Sequence, residues 1–305
     1  MSAAELDGRE LARRLRDRDL SVAPAVLNLL ESRAPVAREQ AAELLGQLSP
    51  AALGGETPGH VAGLTGPPGV GKSSLLSRLV ARWRALGRSV AVLAVDPTSR
   101  RSGGALLGDR ARIEFDPADR AVFIRSTAAG TRLGGLAPGT RAAAAALSAA
   151  FDVVVIETVG VGQSETEVAD VADTVVVVVQ PASGDVLQFL KAGIMEVPDL
   201  LVVTKADLGR IATRAVSDLR AALATLGASG TEVLAVSSLP PGEGIDELVD
   251  GLERHFAGLD LPARRTRARR LHALDDFAAE HGEQGIRRLG GRREAERWLA
   301  EQDPN

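Results

Sequence analysis

Gly66-Pro67-Pro68-Gly69-Val70-Gly71-Lys72-Ser73 fits the pattern G-x-x-x-x-G-K-[ST], and the chemistry that this spacing serves is the holding of a polyphosphate. The glycines let successive backbone N–H groups turn inward around a β-phosphate. A helix opening directly after them adds the positive partial charge of its N-terminus. Lys72 reaches the β- and γ-phosphates, and the Ser73 hydroxyl is a ligand for Mg²⁺. Ser74 completes the phosphate-binding set.

Mg²⁺ takes oxygen ligands, usually a few carboxylates with bound waters. Asp96 closes the apolar run Val90–Val95, and Glu157 follows the run Val153–Ile156. Asp109, in Gly103-Gly104-Ala105-Leu106-Leu107-Gly108-Asp109, lies in a loop that reaches the same metal if it folds over the site. The plainer alternative for each carboxylate is a helix cap or a surface charge. It fits Glu157 least well, because an acid there directly follows four apolar residues. Gly160 permits the close backbone approach that a bond to a γ-phosphate requires, so the stretch through Gln163 is expected to sense that phosphate.

Thr204-Lys205-Ala206-Asp207 resembles the guanine-reading N/T-K-x-D motif of GTPases. The Asp207 carboxylate would accept both N–H donors on one edge of guanine, through paired charge-assisted hydrogen bonds. The stem of Lys205 would pack along the base with its head in water. Ser237-Ser238 stands where a backbone contact to the guanine carbonyl oxygen is expected.

These residues need a frame that brings them to one edge. Six Val-rich runs, Val61–Thr65, Val90–Val95, Val153–Glu157, Thr174–Val179, Leu200–Val203 and Glu232–Val236, do not alternate with polar residues. That pattern predicts strands buried on both faces of a parallel sheet, with Val122–Arg125 as a further strand. Helix-like stretches lie between them at Lys72–Leu86, Thr140–Ala150, Asp185–Glu196, Ile211–Leu226 and Ile245–Phe256. The alternation predicts an α/β, doubly wound, mainly parallel sheet, with its ligand beyond the carboxyl ends of the strands.

The sequence divides into a helical N-terminal extension (1–53), a P-loop GTPase domain (54–258) and a C-terminal helical arm (259–305). Ser49–Gly59 reads as a connection rich in Gly and Pro. In the tail, Arg264–Arg270 and His272–Ala279 read as helix, glycines interrupt, and Arg292–Glu301 reads as a last helix. The Arg run reads as a solvated helix face in preference to a partner contact.

A net charge of −4 gives no reason to expect nucleic-acid binding, and no apolar run approaches the length of a membrane span. The absence of cysteine excludes disulfides and thiolate metal sites and fits a reducing cytosol. Met1–Leu11 lacks the apolar core of a secretory signal, so a cytoplasmic location is expected. His60, His255, His272 and His281 show no close pairing in sequence.

Of 36 basic residues only Lys72, Lys191 and Lys205 are lysines. Where Arg serves almost everywhere, a retained Lys points to a role that needs a compact point charge. Lys191 follows Gln180-Pro181-Ala182-Ser183-Gly184-Asp185, a loop leaving the ligand end of the sheet. It is expected to swing toward the nucleotide or a partner and to supply catalytic charge there, the plainer alternative being an ordinary surface lysine.

Val95-Asp96-Pro97-Thr98-Ser99, Ser102-Gly103-Gly104 through Asp109, Glu157-Thr158-Val159-Gly160-Val161-Gly162-Gln163-Ser164-Glu165 and Lys191-Ala192-Gly193-Ile194-Met195-Glu196 together resemble the methylmalonyl-CoA mutase-associated GTPases of the MeaB/ArgK type. The likeness covers about Leu53 to Phe256. It implies a Mg²⁺-dependent hydrolase of GTP, cycling between GTP and GDP. It further implies a homodimer joined by the C-terminal arm, and an adenosylcobalamin-dependent acyl-CoA mutase as client, whose cofactor loading the GTPase gates and which it protects. It also implies that the region of Lys191 responds to the client. Two other functions compete: a P-loop kinase for a small molecule, and a metal-insertion GTPase. The latter needs soft or imidazole ligands that this composition scarcely offers.

Overall fold

The strand runs are continuously apolar because each strand feeds two cores. In the computed structural model, which describes residues 7–96, 113–128, 136, 138–158, 164–181 and 198–302, successive strand residues point to opposite faces of one sheet. Val61, Leu93, Ile156, Val177 and Val203 enter one core, and Leu64, Val92, Val155, Val176 and Val202 the other. A polar residue at either set of positions would be stranded between layers.

The sheet has seven strands: β1 (His60–Thr65), β2 (Val90–Asp96), β3 (Val122–Ala128), β4 (Val153–Thr158), β5 (Thr174–Val179), β6 (Leu200–Val203) and β7 (Glu232–Ala235). Their order is β3-β2-β4-β1-β5-β6-β7, and every pairing is parallel. The chain winds outward from β1 to one edge, returns through β4, and crosses to the other edge by way of β5. The centre of the sheet, at β1, is therefore the switch point where a ligand is expected. The β3 strand runs to Ala128, three residues beyond the span the sequence suggests, and forms one edge.

The described helices are α1 (Gly8–Arg16), α2 (Ala23–Glu31), α3 (Pro35–Gln47), α4 (Pro50–Leu53), α5 (Lys72–Ala85), α6 (Pro138–Leu147), α7 (Ser164–Ala169), α8 (Arg210–Thr225), α9 (Ile245–Ala257), α10 (Leu261–Arg288) and α11 (Arg292–Gln302). The expected helix at 185–196 lies outside the described residues. The Gly/Pro connection is not bare loop, because Ser49 caps the one-turn α4 by accepting from the Ala52 N–H. Helices α5 and α9 cover one face of the sheet, and α6 and α8 the other.

The chain divides into two compact units, Met1–Ala257 and Gly258–Asn305. In the first, the N-terminal helices share a core with the sheet: Leu11, Leu15, Val26, Leu27 and Leu44 are buried alongside Leu147 and Phe151. Helices α1 and α3 cross at Gly8, where an added Cβ would lie 2.0 Å from the Gln40 carbonyl oxygen. Arg18 reaches Asp152 at 2.7 Å, and Arg125 donates to Asn28 Oδ1 at 2.7 Å. Burial alone would raise the Asp152 pKa; the Ser89 N–H and hydroxyl and the Arg18 guanidinium outweigh it and hold the carboxyl below its ordinary range.

Two histidines that are far apart in sequence meet in the fold. At the edge of the sheet remote from the P-loop, His60 Nε2 and His255 Nδ1 both bond Thr174 Oγ1, at 2.8 and 2.9 Å. His255 Nε2 lies 3.2 Å from Asp199 Oδ1, and His60 stacks on Phe256. His60 on β1, Thr174 on β5 and His255 on α9 are distant in sequence and adjacent in the fold, so this pairing is topological. Among the described residues no group of three or more His, Cys, Asp or Glu is placed to hold a metal ion.

In the second unit, α10 runs through both Arg264–Arg270 and His272–Ala279 and is interrupted at Gly282, where φ is 68° and ψ 178°. Leu274, Ile286 and Ala295 form a small core between α10 and α11, flanked by Phe277 and Leu299. Trp298 stands 53% exposed on α11. No described helix is long and apolar enough to cross a membrane.

Candidate nucleotide site

The P-loop leaves the central strand β1 and enters α5. Gly66, at φ 143°, lets the loop pass so close to β5 that an added Cβ would sit 2.1 Å from Val178 O. Gly71, at φ 99°, is the left-handed residue that opens α5. Lys72 is buried, and its Nζ donates to Gly66 O at 2.7 Å and to Pro67 O at 3.0 Å. The ammonium is thereby held over the carbonyls of the loop.

Glu157, 4% exposed, sits on β4 in register with Leu64 of β1 and Ala94 of β2. The Ser73 hydroxyl donates to Glu157 Oε1 at 3.4 Å. Two oxygen donors of the kind Mg²⁺ prefers thus meet beside the P-loop. Beside them, the Thr158 hydroxyl donates to Thr65 Oγ1 at 2.9 Å, locking the tops of β4 and β1 together. Asp96 is the last residue of β2, and nothing further is described of it. Asp109, Gly160 and Lys191 lie outside the described residues.

The base-side motif follows β6, two strands away. Thr204 is 3% exposed, and its hydroxyl donates to Val70 O at 2.6 Å and lies 3.1 Å from Val179 O. Its work is to bind the P-loop to the ends of β5 and β6, a role that sequence reading did not assign to it. Lys205 turns the chain through φ 56° and donates to Gln180 Oε1. Asp207 begins to face the cavity after that turn. Its Oδ1 accepts from the Ser237 hydroxyl at 2.8 Å, so Ser237 orients the carboxylate through its side chain.

A cavity of about 430 Å³ is lined both by Val70, Gly71 and Ser74 and by Lys205, Asp207 and Ser238. The arrangement can hold a polyphosphate at the helix N-terminus and a hydrogen-bonding base at Asp207, with a hard cation beside the phosphates.

The family described as methylmalonyl Co-A mutase-associated GTPase MeaB matches residues 23–286. A putative GTPase of Pyrococcus abyssi is 40% identical over 275 residues, which cover 88% of this chain and 82% of that protein. A mitochondrial methylmalonic aciduria type A homolog of Caenorhabditis elegans is 41% identical over 191 residues, covering 60% of this chain and 48% of that protein. A crystal structure of a LAO/AO transport system kinase has a TM-score of 0.67 and 28% identity, over 98% of both chains. The fold and these relatives make the chain a P-loop GTPase, and it belongs to the methylmalonyl-CoA mutase-associated GTPase MeaB family.

Proposed function

We propose that the protein is a GTP-hydrolysing chaperone that gates cofactor loading of an adenosylcobalamin-dependent acyl-CoA mutase and protects that enzyme. The observation that carries the reading is the match of 264 residues, 23–286, to a family described by its association with methylmalonyl-CoA mutase. A cavity lined by Gly71 and Ser74 of the P-loop and by Lys205 and Asp207 of the base motif supports the reading. The same reading takes the protein as a cytoplasmic homodimer joined through its C-terminal helices, where Trp298 is exposed.

Phosphoryl transfer to water depends on positioning and charge stabilisation more than on covalent chemistry. P-loop N–H groups and Lys72 hold the phosphates, and Ser73 with Glu157, joined by Asp96 and Asp109, would hold Mg²⁺. When bound, that ion neutralises charge on the β- and γ-phosphates. Gly160 reports whether the γ-phosphate is present.

Glu157→Gln keeps the size of the side chain and removes its charge. GTP affinity should fall by no more than about tenfold, while turnover falls by about a hundredfold and needs more Mg²⁺ for half-maximal rate. Phosphate release titrated against Mg²⁺ measures both; an unchanged Mg²⁺ requirement would place the metal elsewhere.

Lys191 tests the chaperone reading itself. If the client draws Lys191 to the nucleotide, stimulation of GTP hydrolysis by the mutase should drop at least about tenfold in Lys191→Ala, since cations supplied in a complex accelerate such reactions far more than that. Hydrolysis measured with and without purified methylmalonyl-CoA mutase decides it. Equal stimulation of both proteins removes Lys191 from the mechanism, and no stimulation of the wild type counts against this mutase as client.

The likeness to a transport system kinase favours a second reading, phosphoryl transfer to a small-molecule acceptor. Release of phosphate from GTP in the absence of any acceptor separates the two.

A further inference from the structure

Two charged side chains that belong to neither motif line the cavity together with Ser74 of the P-loop and Asp207 of the base motif: Arg78 and Glu114. Arg78 follows Ser74 by four residues on α5, so both present the same helix face. Its Nε donates to Ser238 O at 2.9 Å, tying the phosphate-binding helix to the base-side loop. Glu114 is fixed to the same helix from outside. Its N–H donates to Ser77 Oγ at 2.9 Å, and Ser77 Oγ donates in turn to Ser73 O at 2.9 Å. The backbone of Glu114 is thus pinned while its side chain remains exposed, and among the described residues its carboxylate accepts no hydrogen bond.

We propose that Glu114 reads the ribose of the bound nucleotide, accepting hydrogen bonds from its 2′- and 3′-hydroxyls, with Arg78 as a positioning residue that sets the span between Ser74 and Ser238. This rests on the reading of the cavity as a guanine-nucleotide site. Each part of such a ligand asks for different chemistry. Phosphates need N–H donors and cations, which the P-loop and Lys72 supply. The guanine edge presents donors, which Asp207 accepts. Between them lies a sugar with two vicinal O–H donors and no charge. A carboxylate offers two oxygens that only accept, which complements a diol. Beside phosphate a carboxylate needs a bound cation, as is proposed for Glu157, whereas beside a diol it needs none. An acidic residue on ribose hydroxyls is also the solution reached in dinucleotide-binding α/β folds.

The test is calorimetric titration of wild type, Glu114→Ala and Glu114→Gln with GDP, 2′-deoxy-GDP and 3′-deoxy-GDP. Wild type should bind GDP about tenfold more tightly than either deoxy analogue, the weight of a hydrogen bond to a charged group at an exposed site. In Glu114→Ala that ratio should fall to about one, and Glu114→Gln, which loses the charge but keeps an acceptor, should lie between. Arg78→Ala should weaken all three ligands in proportion and keep the ratio. A wild type that binds GDP without preferring it to the deoxy analogues overturns the assignment, as does a Glu114→Ala variant that keeps the preference. A purely structural role for Glu114 would weaken the three ligands alike and also overturn it. Failure of wild type to bind GDP at all would instead strike the nucleotide reading on which the proposal stands.

Discussion

Lys72→Ala is expected to abolish tight GTP binding, with a loss of at least about a hundredfold in affinity. The side chain is 7% exposed, and its Nζ is held within 3.0 Å of both Gly66 O and Pro67 O, at the mouth of the P-loop. A charge-assisted hydrogen bond contributes about 1.5–3 kcal/mol. Losing two to phosphate oxygens removes roughly 3–6 kcal/mol, and each 1.4 kcal/mol is a factor of ten. Lys72→Arg should rescue little, because the planar fork of Arg needs room that a cation buried against loop carbonyls does not have. The variant also loses the bonds that hold the loop, so binding and folding must be read separately. Thermal unfolding does this. Without nucleotide the two proteins should melt within a few degrees of each other, whereas added GTP should raise the midpoint of the wild type only. Normal GTP hydrolysis by Lys72→Ala would mean that the phosphate site is misassigned.

The sheet was legible because its physics is local and one-dimensional. Thr174–Val179 and Leu200–Val203 have the same bounds in sequence and structure, since in a strand buried on both faces the apolar run ends where the strand does. The P-loop and Thr204–Asp207 were legible because each packs its chemistry into a few consecutive residues. The contacts that join these motifs were not. Thr204 to Val70 spans 134 positions, Arg78 to Ser238 spans 160, and Ser73 to Glu157 spans 84. None leaves a periodic trace, and each exists only because strand order brings the loops after β1, β4, β6 and β7 to one edge. Thr204 shows the consequence. Read alone it is a variant first letter of a base motif; in the fold its hydroxyl bonds the P-loop carbonyl at 2.6 Å. His60 and His255 were missed for the same reason, since they meet through Thr174 only after β1 and β5 pair and α9 packs against the sheet. In the C-terminal unit the glycines of the tail act largely as their positions suggest: Gly282 is non-helical at φ 68°, and Gly290 and Gly291, at φ 87° and 95°, separate α10 from α11. Gly285 alone of the four lies inside helix, within the last turn of α10. A glycine lowers helix propensity by about 1 kcal/mol, which packing of Leu274 against Ile286 and Ala295 is able to offset.

Asp207→Asn is expected to reverse base preference, from GTP to xanthosine triphosphate. The carboxylate only accepts, and guanine presents donors at N1 and at its 2-amino group. The amide of Asn both donates and accepts, so the outcome turns on which end faces the base. The structure supplies the reason for one orientation. Asp207 Oδ1 accepts from the Ser237 hydroxyl at 2.8 Å, on the side away from the base in this reading. An Asn that keeps this bond places its carbonyl oxygen toward Ser237 and its NH₂ toward the base. The NH₂ then meets the guanine 2-amino group donor to donor, and meets the 2-oxygen of xanthine donor to acceptor. Loss of two charge-assisted bonds, each about 1.5–3 kcal/mol, should weaken GTP by a hundredfold or more. Xanthosine triphosphate, poorly bound by wild type because its 2-oxygen faces the carboxylate, should become the better ligand. Ser237 makes the argument separable. In Ser237→Ala with Asp207→Asn the amide is released to flip, and part of the GTP affinity should return, narrowing the preference for xanthosine triphosphate. Competition binding with both nucleotides reads all three proteins. An unchanged preference for guanine in Asp207→Asn would show that Thr204–Asp207 does not read the base, and an unchanged gap in the double variant would show that Ser237 does not set the amide.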